Sequence, residues 1–344
     1  KVASWCVGGS LLFAIVLFQA SNNHAIAMAF EGIDGDRSEK GTSSTLPILL
    51  VLVTNGFVIS LLLAGKRHLY RLIERSMMIL VGLMLVGFLA TLCVIGLDWG
   101  PFLSGLIPSI PADAADSKHL DWMSAAALVA TTFSVAGAFF QSYQVRQRGW
   151  TREDLSAARQ DSIIGISTLA MMTIAIVMTA AGALYGRIDA SDLDSAAAVA
   201  SQLRPLFGNS AAMLFSLGIL AGALSSFVVN ALIGGAVGSD AFGWGSSFSS
   251  NSVRRMTIVS LLIGMVISIG VMASGVRLLS FIVVAQALTV LSFPLLAMTM
   301  ILQWWSIRHS LDPRERWLVA IGLALGLFVV LGLSFRTVIG VLAG

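Results

Sequence analysis

A short polar interruption within an apolar segment is the first place in this sequence where chemistry is expected. Residues 131–142 read TTFSVAGAFFQS, which supplies hydroxyls, an amide and glycine but no charge. In hydrocarbon every backbone N–H and C=O needs an internal partner, so helix-weakening polar residues at this depth are tolerated where they line a cavity. Discontinuous helices of this kind carry the substrate sites of transporters. The segment therefore predicts a solute site.

Neutral polar side chains recur inside other apolar segments. They are Asn22, Asn23, His24, Asn55, Ser225, Ser226, Asn230 and Gln286. Taken singly, each is explained by a hydrogen bond between helices, worth well under ~2 kcal/mol. Together with residues 131–142 they offer hydroxyl and carbonyl oxygens, which a hard cation or its hydration shell prefers. A soft site needs Met or Cys sulfur, and residues 131–142 contain neither.

Nine apolar segments are long enough to hold these residues in a bilayer. A hydrocarbon core of ~30 Å needs about 20 apolar residues per helix. The qualifying segments are 3–29, 47–65, 76–97, 123–145, 161–186, 211–238, 254–275, 278–303 and 316–342. Only 11% of the 344 residues are charged, against roughly a quarter in soluble domains. We predict an all-α polytopic membrane protein in contact with the lipid bilayer, with residues 1–344 forming one transmembrane transport domain.

Basic residues concentrate in alternate loops, which predicts the orientation of the helices. One group of loops and flanks contains Lys66, Arg67, Arg71, Arg75, Arg146, Arg148, Arg152, Arg159, Arg254, Arg255, Arg308, Arg314 and Arg316. The opposite loops are richer in Asp and Glu. We expect the basic group to be cytoplasmic in a plasma membrane. The net charge of +3 is too small to indicate nucleic acid as a partner.

Charged and sulfur-containing residues are otherwise placed at segment ends or scattered. Asp161 opens the fifth segment, where negative charge is favoured at a helix N-terminus; a role in gating explains it equally well. Cys6 and Cys93 lie in apolar runs and are predicted to be buried small hydrophobes rather than a disulfide or metal site. No catalytic set or phosphate-binding loop lies in a plausible context, so the sequence does not predict an enzyme.

These residues resemble a known family, the NRAMP divalent-metal transporters. The match to that family's sixth and seventh helices runs from Thr131 through Arg148-Gly149-Trp150 to Gln160-Asp161-Ser162. Residues 215–226 match its eighth helix and Val253-Arg254-Arg255 its ninth. The tenth is matched by Gln286 and by Phe293-Pro294-Leu295-Leu296. The resemblance covers essentially the whole chain. It implies a LeuT-like inverted-repeat fold of the APC superfamily, with the nine segments as helices three to eleven. Two further helices, the first bearing Asp-Pro-Gly-Asn metal ligands, are then expected upstream of Lys1.

One departure from the family concerns the choice of ion. The family's sixth helix carries Met-Pro-His at its break, and the alignment on Gln141-Ser142 places Ser134, Val135 and Ala136 at those positions. Loss of the thioether removes the preference for transition metals over hard ions. Mg²⁺ keeps several waters, so a roomier oxygen-lined site suits it. This pattern resembles the NRAMP-related magnesium transporter branch.

The resemblance also implies which residues meet the ion. We expect the Thr131 carbonyl and the Ser134 hydroxyl to face it directly or through water, beside Ala136 and Gly137, and Gln286 to close over it. The transported ion is substrate, and no cofactor is expected. Mg²⁺ is the leading expectation, with Mn²⁺ as a further substrate.

A second departure concerns proton coupling. Proton-coupled members carry carboxylates on the third helix opposite an arginine pair on the ninth. Here the arginines are Arg254 and Arg255, but the third-helix region offers Asn22, Asn23 and His24. Asparagine cannot titrate, whereas histidine can. We expect weak or absent proton coupling, with Asp161 and Asn230 as further gating or coupling candidates.

Three alternatives stay open at this point. The first is a proton-coupled Mn²⁺/Fe²⁺ importer with a degenerate motif. The second is an amino-acid or other organic-solute transporter, since one fold hosts many functions. The third is a membrane sensor or scaffold that does not transport. The sequence leaves the oligomeric state undetermined.

Overall fold

The computed structural model describes residues 2–34, 45–64, 99–105, 122–132, 135–183 and 211–343, with position 107 and scattered positions between 75 and 93. Within these ranges the helices are α1 (Val2–Asp34), α2 (Thr45–Ala64), α3 (Trp99–Gly105), α4 (Trp122–Thr132), α5 (Val135–Arg148), α6 (Leu155–Ala183), α7 (Ala211–Ala241), α8 (Asn251–Ala273), α9 (Leu278–Thr289), α10 (Phe293–Ile307) and α11 (Pro313–Ala343). Short 3₁₀ turns cover Arg152–Asp154, Val290–Ser292 and Arg308–Ser310.

Seven helical stretches in the described part of the chain are long and apolar enough to cross a membrane. They include α1, α2, α6, α7, α8 and α11, and one stretch that runs from α9 through α10. The predicted all-α polytopic class is thereby confirmed. The predicted segment 76–97 is described only at scattered positions, and the helix α3 was not predicted from the sequence.

Helix α1 lies at the centre of the packing. It contacts α2, α5, α7, α8, α9 and α10, and Gln19, Asn23 and His24 on it are fully buried. Helices α6 and α11 are peripheral, with Ile164 and Phe328 among their many exposed apolar side chains. Lipid tails are as apolar as leucine, so apolar side chains at the periphery and polar ones at the centre are compatible with a bilayer.

Close approach of the central helices depends on small residues. A Cβ on Gly235 of α7 would collide with the Thr257 side chain of α8 and lie 2.8 Å from the Val253 carbonyl oxygen. A Cβ on Gly264 of α8 would come within 2.5 Å of the Gln19 Cβ. Glycines at such positions let helix backbones meet in a membrane. They bring α8 against both α7 and the polar middle of α1.

Two expectations about individual residues are wrong. Cys6 and Cys93 are free and exposed rather than buried, because an apolar sequence environment in a membrane helix is shared by lipid-facing and protein-facing positions. Asp161 is not in a first turn, because α6 begins at Leu155. It forms an ion pair with Arg148, with 3.4 Å between Nη1 and Oδ2.

Candidate functional site

The C-terminal end of α4 presents two hydroxyl oxygens. Thr131 Oγ1 and Thr132 Oγ1 both donate to the Leu128 carbonyl, at 2.9 and 2.8 Å. Each hydroxyl has one proton and two lone pairs. Because both protons are directed at one carbonyl, the lone pairs of both oxygens remain available to a cation or its waters. Both threonines are exposed, which keeps these oxygens accessible.

The same helix packs on the element that carries Gln286. Three alanines of α4 form a buried cluster with residues of α9, α10 and α11, and its members are Ala126, Ala127, Ala130, Ala287, Val290, Phe293 and Val330. Ala130 and Ala287 directly neighbour Thr131 and Gln286 in the chain. The two candidate ion-contacting residues therefore lie on helices that touch at this depth.

Gln286 is half-buried and its amide is directed toward α1. Its Nε2 donates to Ser21 Oγ at 3.5 Å, and that hydroxyl donates to the Ile282 carbonyl at 3.4 Å. Both hydrogen bonds are long, since 2.7–3.2 Å is usual for N–H donors and 2.5–3.0 Å for hydroxyl donors. The amide is consequently held loosely. Its carbonyl oxygen can supply the type of ligand that hard cations take.

The remaining predicted ion contacts are on or near the first turn of α5. Ser134 lies outside the described residues. Ala136 is buried in an apolar cluster with Phe140 and Leu296, so its side chain does not contact an ion and its main chain alone can contribute. Gly137 is half-buried beside it.

An asparagine pair joins α1 to α2. Asn55 Nδ2 donates to Asn23 Oδ1 at 2.7 Å and to the Val51 carbonyl at 2.8 Å, while Asn23 Nδ2 donates to the Gln19 carbonyl at 3.0 Å. Both asparagines are fully buried. Buried polar groups are costly unless they are paired; the pair makes three hydrogen bonds, and Asn55 Oδ1 is buried without a partner among the described residues. The pair binds the two helices together without a charge.

His24 joins α1 to α8. Its Nδ1 lies 3.1 Å from the Ala20 carbonyl oxygen and 2.9 Å from Ser268 Oγ, and its ring centroid is 4.3 Å from that of Phe281. Where Nδ1 donates to this carbonyl, Nε2 of the neutral ring is an acceptor. That Nε2 is buried and has no hydrogen-bond partner among the described residues. His24 is the titratable residue in this polar region of α1.

Two more amides on α1 have unused hydrogen-bonding capacity. The amide nitrogen and oxygen of Gln19, Nε2 and Oε1, are buried without a hydrogen-bond partner in the part of the chain that the structure describes, and so is Nδ2 of Asn22. We call Gln19, Ser21, Asn22, Asn23 and His24 the polar belt of α1. Sequence reasoning missed Gln19, Ser21 and Ser268. Ser21 directly precedes Asn22–His24 and Gln19 lies three positions before Asn22, and this proximity in sequence is a signal. Ser268 is 244 positions from its histidine and has no such signal.

The arginine pair is at a different depth from the polar belt. Arg254 and Arg255 lie in the first turn of α8, where Arg254 Nη2 donates to Asn251 Oδ1 at 2.8 Å. Ser268, which contacts His24, follows Arg254 by 14 positions, about 20 Å along a helix. Arg255 is exposed. The structure does not bring the arginines together with Asn22, Asn23 or His24.

The two remaining gating candidates are also separated from the belt. Asn230 is half-buried on α7, and Asp161 is exposed near the start of α6. A carboxylate that does join two helices is Asp240, whose Oδ2 accepts from the Tyr143 hydroxyl at 3.0 Å. This contact links the end of α5 to the end of α7.

The ligand chemistry of this region is dominated by neutral oxygen. No group of three or more His, Cys, Asp or Glu residues is gathered within the described ranges. The polar groups near this region are the threonine hydroxyls at the end of α4, the Gln286 amide and the amides of the polar belt, of which Gln286 contacts Ser21. Such oxygens favour hard cations, and soft ones favour sulfur. The residue types in the described part of this region are therefore those of a hard-cation site.

Comparisons with known proteins agree with the resemblance. A family model described as "Natural resistance-associated macrophage protein-like" matches residues 1–340. A protein named divalent metal cation transporter MntH from Acidiphilium cryptum (strain JF-5) is 27% identical over 293 residues, covering 84% of this chain and 64% of that protein. A second of that name, from Pectobacterium carotovorum subsp. carotovorum (strain PC1), is 31% identical over 161 residues, covering 46% of this chain and 38% of that protein.

The match to the family model extends over nearly all of the 344 residues, whereas the aligned regions span less than two thirds of either relative. The predicted resemblance is confirmed, and the LeuT-like fold is what membership of this family implies. The chain belongs to the Nramp family.

Proposed function

We propose that this multi-pass membrane protein transports divalent metal cations by alternating access, as one transport domain over residues 1–344. Family membership supports this, as does the name of both relatives, divalent metal cation transporter. The ion passes between the end of α4 and Gln286, whose helices pack together through Ala130 and Ala287. Transport rather than catalysis is the activity.

The preferred ion in this proposal is Mg²⁺. One observation carries that choice: Ser134, Val135 and Ala136 stand where the family resemblance expects Met-Pro-His, which removes both sulfur and imidazole. The hydroxyls of Thr131 and Thr132 keep their lone pairs available. Mg²⁺ dehydrates reluctantly and binds through retained waters, so hydroxyl and amide oxygens at a widened site are suitable partners.

The driving force in this proposal is the membrane potential, with little or no proton movement. A divalent ion gains about 4.6 kcal/mol from a potential of about 100 mV. In the polar belt, asparagine amides occupy positions where a proton relay needs titratable groups, and the arginines are remote from it. The basic loops face the cytoplasm of a plasma membrane, following the bias of Lys and Arg.

Selectivity is tested by Ser134→Met in the full-length protein reconstituted in liposomes. Uptake of Mg²⁺ is measured with Mn²⁺ and Cd²⁺ as competitors, at an imposed potential and with an internal pH dye. We expect Mn²⁺ and Cd²⁺ to compete at least about tenfold better in the variant, the equivalent of ~1.4 kcal/mol. Thr168→Met, at an exposed position of α6, is the control. Unchanged competition in Ser134→Met would exclude Ser134 as the selectivity position.

A second candidate is a proton-coupled importer of Mn²⁺ or Fe²⁺. It is favoured by His24, whose buried Nε2 has no partner within the described residues and is suited to accept a proton. Both relatives are named for divalent metal cations in general. Acidification of the liposome lumen in step with ion uptake, abolished by His24→Asn, would establish this candidate and overturn the first.

A further inference from the structure

The long apolar stretch that contains Gln286 is interrupted at its middle. Helix α9 ends at Thr289, residues Val290–Ser292 form a 3₁₀ turn, and α10 begins at Phe293-Pro294. Pro294 has no N–H and cannot donate to the carbonyl four residues earlier, which is that of Val290. The Val290 carbonyl instead accepts from the Phe293 N–H in the tighter 3₁₀ pattern. Val290 is fully buried.

Ser334 of α11 provides a second donor to this carbonyl. Its Oγ donates to the Val290 carbonyl oxygen at 3.0 Å, across 44 positions of sequence. Several hydroxyls in the membrane segments donate to their own helix, as Thr179 does to the Ala175 carbonyl and Thr257 to that of Val253, whereas Ser21 donates across helices to the Ile282 carbonyl. Ser334 also donates between helices, to the carbonyl from which Pro294 removes the usual i+4 donor. That carbonyl already accepts from the Phe293 N–H, so the Ser334 hydroxyl occupies its second lone pair.

A hydrogen bond from the residue before the 3₁₀ turn joins this turn to Gln286. Thr289 Oγ1 donates to the Gln286 carbonyl at 2.7 Å, and Gln286 and Val290, four residues apart, share one face of the element. A 3₁₀ stretch in mid-helix often marks a hinge. A rotation at such a hinge would move the Gln286 amide relative to Ser21. The hydrogen bond between them is long, at 3.5 Å, and would resist this movement little.

We propose that Ser334 is a positioning residue for transport: its hydrogen bond to the Val290 carbonyl holds the 3₁₀ turn and sets the place of Gln286 over the ion. The inference rests on the proposed function, in which Gln286 closes over the cation. Ser334 does not contact the ion. Val330, one turn earlier on α11, packs in the same cluster as Val290, so the hydroxyl is held in place by apolar contacts on its own helix.

The test is a double-mutant cycle of Ser334→Ala and Gln286→Ala in the full-length protein in liposomes. Uptake kinetics are measured for whichever divalent ion the wild-type protein transports. We expect Ser334→Ala to raise KM about fivefold, the loss of one buried hydrogen bond, and to have no further effect when Gln286 is already alanine. Ser334→Thr, which keeps the hydroxyl, should have the KM of the wild-type protein.

The matched control is Ser292→Ala. Ser292 is buried in the same 3₁₀ turn, and its hydroxyl has no partner among the described residues, so KM should not change. Ser334→Cys repeats the cycle with a weaker donor of similar volume, in case the alanine variant does not fold. Independent, additive effects of Ser334 and Gln286 substitutions would overturn the inference while leaving the proposed function intact. Absence of divalent-cation uptake by the wild-type protein would overturn both.

Discussion

The central helix α1 and the peripheral helices α6 and α11 are opposite in both composition and burial. In the apolar stretch of α1, 44% of the residues are buried, against 11% in those of α6 and α11. Helix α1 carries five consecutive or near-consecutive polar residues at its middle, whereas α6 and α11 expose leucine, isoleucine and phenylalanine. Polar side chains, rather than hydrophobic ones, therefore distinguish the interior of this protein from its periphery, because apolar surfaces are as stable against lipid as against protein.

The largest test of this difference compares one substitution at two depths. Phe227 on α7 is fully buried and Phe328 on α11 is 79% exposed. We expect Phe227→Ala to lower the free energy of unfolding by about 3 kcal/mol, since it leaves a cavity, and Phe328→Ala to change it by about 0.5 kcal/mol or less. Unfolding in mixed detergent micelles measures both. Similar losses for the two variants would show that α11 is covered by protein.

A smaller test concerns the hydrogen bonds that α1 makes. Asn55→Leu removes the donor to Asn23 Oδ1 and should cost about 1 kcal/mol of unfolding free energy. Addition of Asn23→Leu should recover part of that loss, because no buried amide of the pair is then left without its hydrogen-bond partner. Ser60→Ala on the same helix is the control, since that exposed hydroxyl donates only to the Gly56 carbonyl. A larger loss in the double variant than in Asn55→Leu would contradict the pairing.

The smallest effect is expected at the exposed start of α6. Asp161 and Arg148 form an ion pair with both side chains 47% exposed, and exposed pairs are worth about 0–1 kcal/mol. Asp161→Asn should therefore change the unfolding free energy by about 0.5 kcal/mol or less and leave the rate of ion uptake unaltered. A fall in the uptake rate with unchanged stability would assign Asp161 the gating role instead.

Much of the helical framework could be predicted from hydropathy alone. The bounds of α2 and α8 lie within about three residues of segments 47–65 and 254–275, because length and apolar composition are local properties. The beginning of α6 was misplaced, since Leu155 follows a turn capped by Thr151 in a stretch with several charged residues. The interruption at Val290–Ser292 was missed, although Pro294 was its signal.

The candidate site was predicted in its residue types but not in its partners. The sequence pointed to Thr131, Gln286 and the Asn22–His24 cluster without showing which helices they face. The expected association of that cluster with Arg254 and Arg255 is not seen, because the contact between α1 and α8 at His24 is with Ser268, about 20 Å further along α8. The interruption at Ser134 stays a prediction.

Composition and motifs were enough to predict that this chain crosses a membrane and belongs to the Nramp family. These conclusions follow from composition and from short motifs, both of which are readable along the chain. Three contacts became visible only in the folded protein: Asn55 pairs with Asn23, His24 contacts Ser268, and Ser334 donates to the Val290 carbonyl. Each of those contacts depends on how two helices pack, and small residues such as Gly264 set that distance without any periodic signal in the sequence.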